Sequence, residues 1–246
     1  MNFETWQWAL LIAGAVVAGF SKTGIPGSSI LFVAILPIIM PARQATGIVL
    51  PLLIFADIFA YAIYRKNLEW RRVGRLIPSA LLGVLLGWLA LGRINDRQTT
   101  QMVGVIIALM LALHLWRSRG AVDAAVTHAP FWFAPVMGLF AGFTTMVANA
   151  AGPVMALYLL AMRLPKLEFL GTGAAFFLVI NWVKVPFVVE LGLINAESLK
   201  LNLWLLPAVT LGALLGRPVV ERVNQRYFES GVLLLTALAV LKLLFY

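Results

Sequence analysis

The sequence predicts an all-α, polytopic integral membrane protein of about 8–10 membrane segments, arranged as two inverted-topology repeats with broken or re-entrant helices. Three observations carry that prediction. The chain is apolar: 62% of its 246 residues are hydrophobic and 12% are charged, where a soluble domain carries about 25% charged residues. It contains an internal repeat built on glycine and proline. Its positive charges alternate between loops in a way that fixes an orientation.

Composition excludes several classes. Mean hydropathy is +0.94, which rules out a water-soluble globular enzyme and a disordered chain. There is no cysteine, so disulfides, thiolate nucleophiles and cysteine-based metal sites are out. Net charge is +9, but no basic cluster is interleaved with aromatics on a polar face. Nucleic acid is therefore not an expected partner, and the excess reads as a topology signal. The N-terminus lacks a basic n-region, so its first apolar run does not read as a conventional signal peptide.

Taken in order, the apolar runs are 5–21, 30–40, 44–64, 76–92, 98–116, 124–162, 167–189, 201–216 and 230–241. A crossing helix needs about 20 residues. Several runs satisfy that length. The segments either side of residues 21–29 and of residues 144–153 are too short to cross alone. Trp6, Trp8, Trp70, Trp116, Trp132 and Trp204 fall near run ends, as interfacial belts do.

The repeat organises these runs. Ala18-Gly19-Phe20-Ser21 returns as Ala141-Gly142-Phe143-Thr144. Pro41 and Gly47 match Pro165 and Gly171, and Asp57 falls opposite Asn181. Pro78, Gly83, Gly87 and Asn95 match Pro207, Gly212, Gly216 and Asn224. Matched Gly and Pro record backbone breaks and close helix contacts. The expected units are residues 1–119, a cytoplasmic linker at 120–129, and residues 130–246. The Gly83/Gly87 and Gly212/Gly216 spacings favour packing within the fold over a dimer face.

Placing Arg65, Lys66, Arg71, Arg72 and Arg75 in the cytoplasm puts twelve of the nineteen Lys and Arg inside and five outside, with Lys22 and Lys184 in the membrane. That assignment follows the positive-inside rule. It requires an odd number of crossings per half, so the halves insert upside down relative to one another. Both termini then lie outside an inner (plasma) membrane.

Two interruptions carry the candidate chemistry. The first spans Ser21, Lys22, Thr23, Gly24, Ile25, Pro26, Gly27, Ser28 and Ser29. Its glycines permit unusual backbone angles, and Pro26 suits the first turn of a new helix. The second runs from Thr144 and Thr145 through Asn149 to Gly152 and Pro153. Helix N-termini there would offer free N–H groups and a positive dipole end to an anion. The competing reading is two loops outside the membrane. The candidate substrate-binding set is Ser21, Lys22, Thr23, Gly24, Gly27, Ser28, Thr144, Thr145, Asn149 and Gly152. Lys22→Ala is expected to weaken anion binding far more than folding.

The run from Ala18 to Gly27 resembles the first signature of the sulfite exporter TauE/SafE family, also called the toluene sulfonate uptake permease family. Pro41-Ala42-Arg43-Gln44-Ala45-Thr46-Gly47, the run Leu50 to Ala60, and Tyr64-Arg65 are similar to it as well. The resemblance covers nearly the whole chain. It implies a secondary transporter of small sulfur-containing or organic anions such as sulfite, sulfoacetate or sulfonates. Many members carry more glycine where this chain has Gly24-Ile25-Pro26-Gly27-Ser28-Ser29, a difference that bears on substrate size.

Asp57 is the only acid in its run. A charge at mid-membrane costs at least about 2.5 kcal/mol, so it faces the protein interior. Tyr61 lies on the same helix face. Asp57 reads equally as a proton-coupling carboxyl and as a structural carboxylate. Lys184 reads as a second anion-attracting charge, as a partner for Asp57, or as a residue snorkelling to an interface. Asn181, equivalent to Asp57, places that face inward. His114 and His128 are not expected to bind metal, and no cofactor is implied.

The expected activity is alternating-access transport of a small anion, with protons as the coupling ion. An anion channel, or a carrier of another small organic acid, is the alternative. An intramembrane enzyme is disfavoured: there is no HExxH or GxSxG motif, and neither histidine reaches the serines. The expected partners are the anion, the lipid bilayer and protons, with monomer and homodimer both open.

Overall fold

A computed structural model describes residues 3–28, 42–91 and 131–245, together with residues 32, 39, 40, 97, 101, 102, 104–109, 111, 112 and 115. The expected linker at 120–129, Ser29, His114, His128 and Trp116 lie outside the described residues.

The described chain is helical. In order come α1 (Thr5–Thr23), α2 (Ala42–Tyr64), a short 3-10 turn (Arg65–Asn67), α3 (Trp70–Leu91), α4 (Phe133–Ala148), α5 (Ala151–Ala161), α6 (Lys166–Glu190), α7 (Ala196–Arg222) and α8 (Gln225–Phe245). Four helical stretches among the described residues are long and apolar enough to cross a bilayer: 47–67, 70–91, 166–190 and 196–222. α4 and α5, with 16 and 11 residues, reach only about 24 and 16 Å at 1.5 Å per residue. Neither crosses the hydrocarbon core by itself.

Helix ends follow local chemistry. Asn195 caps α7, its Oδ1 accepting from the Ser198 N–H at 3.0 Å. α1 ends at Gly24, whose N–H returns to the Phe20 carbonyl. α4 ends at Asn149, which adopts a left-handed conformation with φ 50° and ψ 29°, a geometry asparagine tolerates better than most residues. The Ala150 N–H then closes on the Thr144 carbonyl, so the chain turns within two residues and re-enters a helix at Ala151. The last carbonyls of α7 are satisfied from outside. Lys166 Nζ donates to the carbonyls of Val220 (2.7 Å) and Val223 (2.5 Å), tying the start of α6 to the end of α7.

Two helix crossings dominate the packing: α1 on α7, and α3 on α4. Glycine makes both possible. A methyl at Gly212 would strike the Val16 carbonyl and the Phe20 nitrogen; one at Gly83 would strike the Leu139 carbonyl and the Phe143 nitrogen. From the other side, Gly19 faces the Val209 carbonyl and Gly142 the Ala80 carbonyl. These are the same contacts at residues matched by the sequence repeat. The first helix of each half thus packs on a helix of the other: α1 on α7, and α4 on α3. The GxxxG glycines are consumed by contacts inside the fold, where small residues allow backbones to approach.

α2 packs on α6 between these crossings. A polar bond stitches α1 to α7, with Thr23 Oγ1 donating to the Ala213 carbonyl at 2.7 Å. Another joins α2 to α1, with Tyr64 Oη donating to the Thr23 carbonyl at 2.6 Å. The outward faces of α3 and α7 are apolar. Leu82, Leu85, Leu86 and Leu89 on one, and Leu203, Trp204, Leu211 and Leu214 on the other, are exposed. In water such faces would aggregate; in lipid they are solvated. Trp6, Trp70 and Trp132 are exposed at helix starts, and Trp204 is exposed two turns into α7.

Candidate functional site

Five helices converge on one cavity. It encloses about 630 Å³ of empty space, counted out to its open mouth. Ser21 and Lys22 reach it from the last turn of α1, and Gly27 from the turn that follows, where its φ is +95°. Thr145 and Asn149 reach it from the end of α4, and Gly152 from the first turn of α5. The two interruptions, more than a hundred residues apart in sequence, thus share a wall. Leu53 of α2, Met155 and Leu159 of α5, and Phe169 and Phe177 of α6 supply the apolar lining. An apolar cleft with a few converging polar groups is the usual form of a small-molecule site.

The polar groups form two clusters. In the first, Lys22 Nζ lies 2.7 Å from Asp57 Oδ1, and the carboxylate is fully buried. Asn181 Nδ2 donates to Asp57 Oδ2 at 2.7 Å. The Lys22 ammonium also sits 4.0 Å from the centroid of the Phe177 ring, a cation–π distance. A buried carboxylate needs a paired cation. Here the cation comes from α1, the carboxylate from α2, and the amide and ring from α6. In the second cluster, Lys184 of α6 is fully buried. Its Nζ donates to Thr145 Oγ1 at 3.1 Å and to Asn149 Oδ1 at 2.6 Å. Both partners lie at the C-terminal end of α4, where the helix dipole favours a cation.

This arrangement decides between readings the sequence left open. Lys184 does not snorkel to an interface; it is enclosed. Nor does it pair with Asp57, because Lys22 occupies that carboxylate. The expectation for Lys22→Ala also changes. Removing Lys22 strands a buried carboxylate, so folding suffers along with anion binding.

The remaining predicted residues are placed elsewhere. Thr23 is buried and spends its hydroxyl on the Ala213 carbonyl. Thr144 donates to the Phe140 carbonyl at 2.7 Å, within its own helix. Ser28 Oγ donates to the Ile25 carbonyl at 3.0 Å, holding the turn. Gly24 sits against Phe20. Tyr61 is half-buried in the apolar core. Two residues escaped the sequence reading. Tyr64, seven residues beyond Asp57 and so on the same helix face, bonds the α1 end. Phe177, one turn before Asn181, stacks on Lys22. Its spacing from Asn181 was the available signal, obscured because α6 is apolar on all sides.

Among the described residues, no cluster of three or more His, Asp or Glu side chains could hold a metal ion. What the cavity offers is cationic and hydrogen-bonding: Lys22, a threonine hydroxyl, an asparagine amide and the opening turn of α5, with Lys184 enclosed behind Thr145 and Asn149.

No curated protein and no solved structure matches the chain. The model of one protein family, described as Sulfite exporter TauE/SafE, matches residues 11–243. That match takes in both interruptions, both lysines and all of α2 to α7 with most of α1 and α8, and it extends over nearly the whole sequence. The chain therefore belongs to the sulfite exporter TauE/SafE family of membrane transporters.

Proposed function

We propose that this protein is a secondary carrier that moves small sulfur-containing anions, such as sulfite or an organic sulfonate, across the plasma membrane by alternating access. The observation that carries the reading is the single cavity walled by both interruptions, with Lys22 on one side and the Lys184-braced pair Thr145 and Asn149 on the other. An anion held there meets an ammonium, a hydroxyl, an amide and the N-terminal turn of α5 together. The halves would insert in opposite orientations, with both termini outside. Alternation would then be a rocking of the α1–α7 crossing against the α3–α4 crossing, since these glycine-lined contacts are equivalent by the repeat. Asp57, buried beside Lys22, is the carboxyl through which proton coupling would act.

The test is counterflow. Purified protein in proteoliposomes loaded with unlabelled sulfite should accumulate external radiolabelled sulfite transiently and saturably. Flux that never saturates, or that shows no counterflow, would make the protein a channel or a carrier of something else.

A further inference from the structure

The charge count around the cavity limits what it can hold. Three ionisable side chains meet at the site: Asp57 and Lys184, both fully buried, and Lys22, which is 10% exposed. Among the described residues that line the cavity, Lys22 is the one charged side chain; Asp57 and Lys184 are enclosed behind the lining residues Asn181, Thr145 and Asn149. Lys22 and Asp57 neutralise one another at 2.7 Å, and the Phe177 ring takes up another side of the ammonium. Lys184 makes no ion pair among the described residues; both of its acceptors are neutral. With all three groups ionised, the site carries one net positive charge, and the unpaired cation is Lys184 of the second half of the chain.

Lys184 also fixes the polarity of its neighbours. An ammonium can only donate. Thr145 Oγ1 and Asn149 Oδ1 accept from it, which leaves the Thr145 O–H and the Asn149 NH₂ as donors for something else. Both residues line the cavity. The lysine thus presents its charge to the cavity through two neutral groups turned into donors. Asn181 supplies the opposite polarity. Its Nδ2 must face Asp57, because a carboxylate only accepts, and its buried Oδ1 then has no hydrogen-bond donor. An acceptor without a donor disfavours a second negative oxygen nearby and suits a protonated one.

We propose that the cavity selects singly charged anions, a hydrogen sulfite or a sulfonate rather than a dianion, and that Lys184, not Lys22, supplies the compensating charge. The inference rests on the anion-carrier reading and adds to it the charge state of the substrate. A monoanion leaves the buried site neutral. A dianion leaves it with an uncompensated charge in a low-dielectric surround, the costly case.

The experiment uses two tetrahedral probes of fixed charge, methanesulfonate and sulfate, titrated calorimetrically against the purified full-length protein. The wild type should bind methanesulfonate at least about tenfold more tightly than sulfate. Asp57→Asn raises the site to two positive charges and should shift the ratio toward sulfate by at least about tenfold. Lys184→Met should abolish methanesulfonate binding. If Asp57→Asn does not fold, the double variant Lys22→Met/Asp57→Asn, which keeps Lys184 as the sole charge, should still prefer methanesulfonate. Equal wild-type affinities for the two probes, or a Lys184→Met protein that binds methanesulfonate normally, would overturn the proposal and leave the carrier reading standing. A wild type that binds neither probe would take both down.

Discussion

The two interruptions occupy equivalent places in the repeat and end up side by side, yet they handle charge in opposite ways. The first carries its own lysine, Lys22, and spends it on Asp57 of the neighbouring helix. The second carries no charge and borrows Lys184 from α6, which it holds with neutral oxygens. At the positions equivalent to Lys22 and Asp57, the second half has Thr145 and Asn181. Both halves contain a backbone break, but the first holds an ion pair beside it and the second a lysine bound by neutral oxygens. A symmetric site with two ion pairs would carry no net charge, and one with two unpaired lysines would carry two buried positive charges.

Removing the lysines one at a time should expose that difference. Lys22→Ala leaves Asp57 buried and unpaired and should cost about 3–5 kcal/mol of stability. The loss should appear as a large drop in the thermal unfolding midpoint in detergent, mostly recovered by adding Asp57→Asn. Lys184→Met removes a charge whose partners are neutral and should cost less, about 1–3 kcal/mol. Equal losses from the two variants would mean that the halves do not differ in the way described.

A smaller effect is expected at Asn149. Asn149→Gly keeps the left-handed turn that joins α4 to α5, since glycine adopts positive φ freely. It removes the 2.6 Å acceptor of Lys184. Unfolding should shift by no more than about 1 kcal/mol, while the affinity for a sulfonate falls. A fully stable variant with unchanged affinity would remove Asn149 from the site. The smallest stability change belongs to Gly152→Ala. An added methyl there meets nothing within 4 Å, and alanine in a helix gains about 0.5–1 kcal/mol over glycine. Stability should hold or rise slightly, and the largest sulfonates accepted by the wild type should bind less well. Unaltered size selectivity would place the substrate away from α5.

Much of this is legible in the amino-acid sequence, for a definite reason. Apolar composition and run length are summed locally, so they report helices and a membrane without knowledge of their neighbours. Breaks are also local: Gly24, Pro26 and Gly27, or Asn149, Gly152 and Pro153, act through their own backbone. Repeat matching found Gly83 and Gly212 because a close crossing leaves no room for a side chain, whatever the partner. The role of Thr144 was misread for the same local reason. A hydroxyl at an interruption looks available, but inside a helix it is drawn back to a carbonyl three or four residues earlier.

The sequence by itself determined an all-helical membrane chain, the two places where its helices break, and the presence of Lys22, Asp57 and Lys184 in segments with few other charges. Tertiary structure alone decided which lysine meets the acid. The sequence offered Lys184 as the partner for Asp57, and the structure pairs Asp57 with Lys22 instead. The choice depends on how α1, α2 and α6 cross, and a difference of a few ångströms in a medium of low dielectric separates a neutralised charge from a free one.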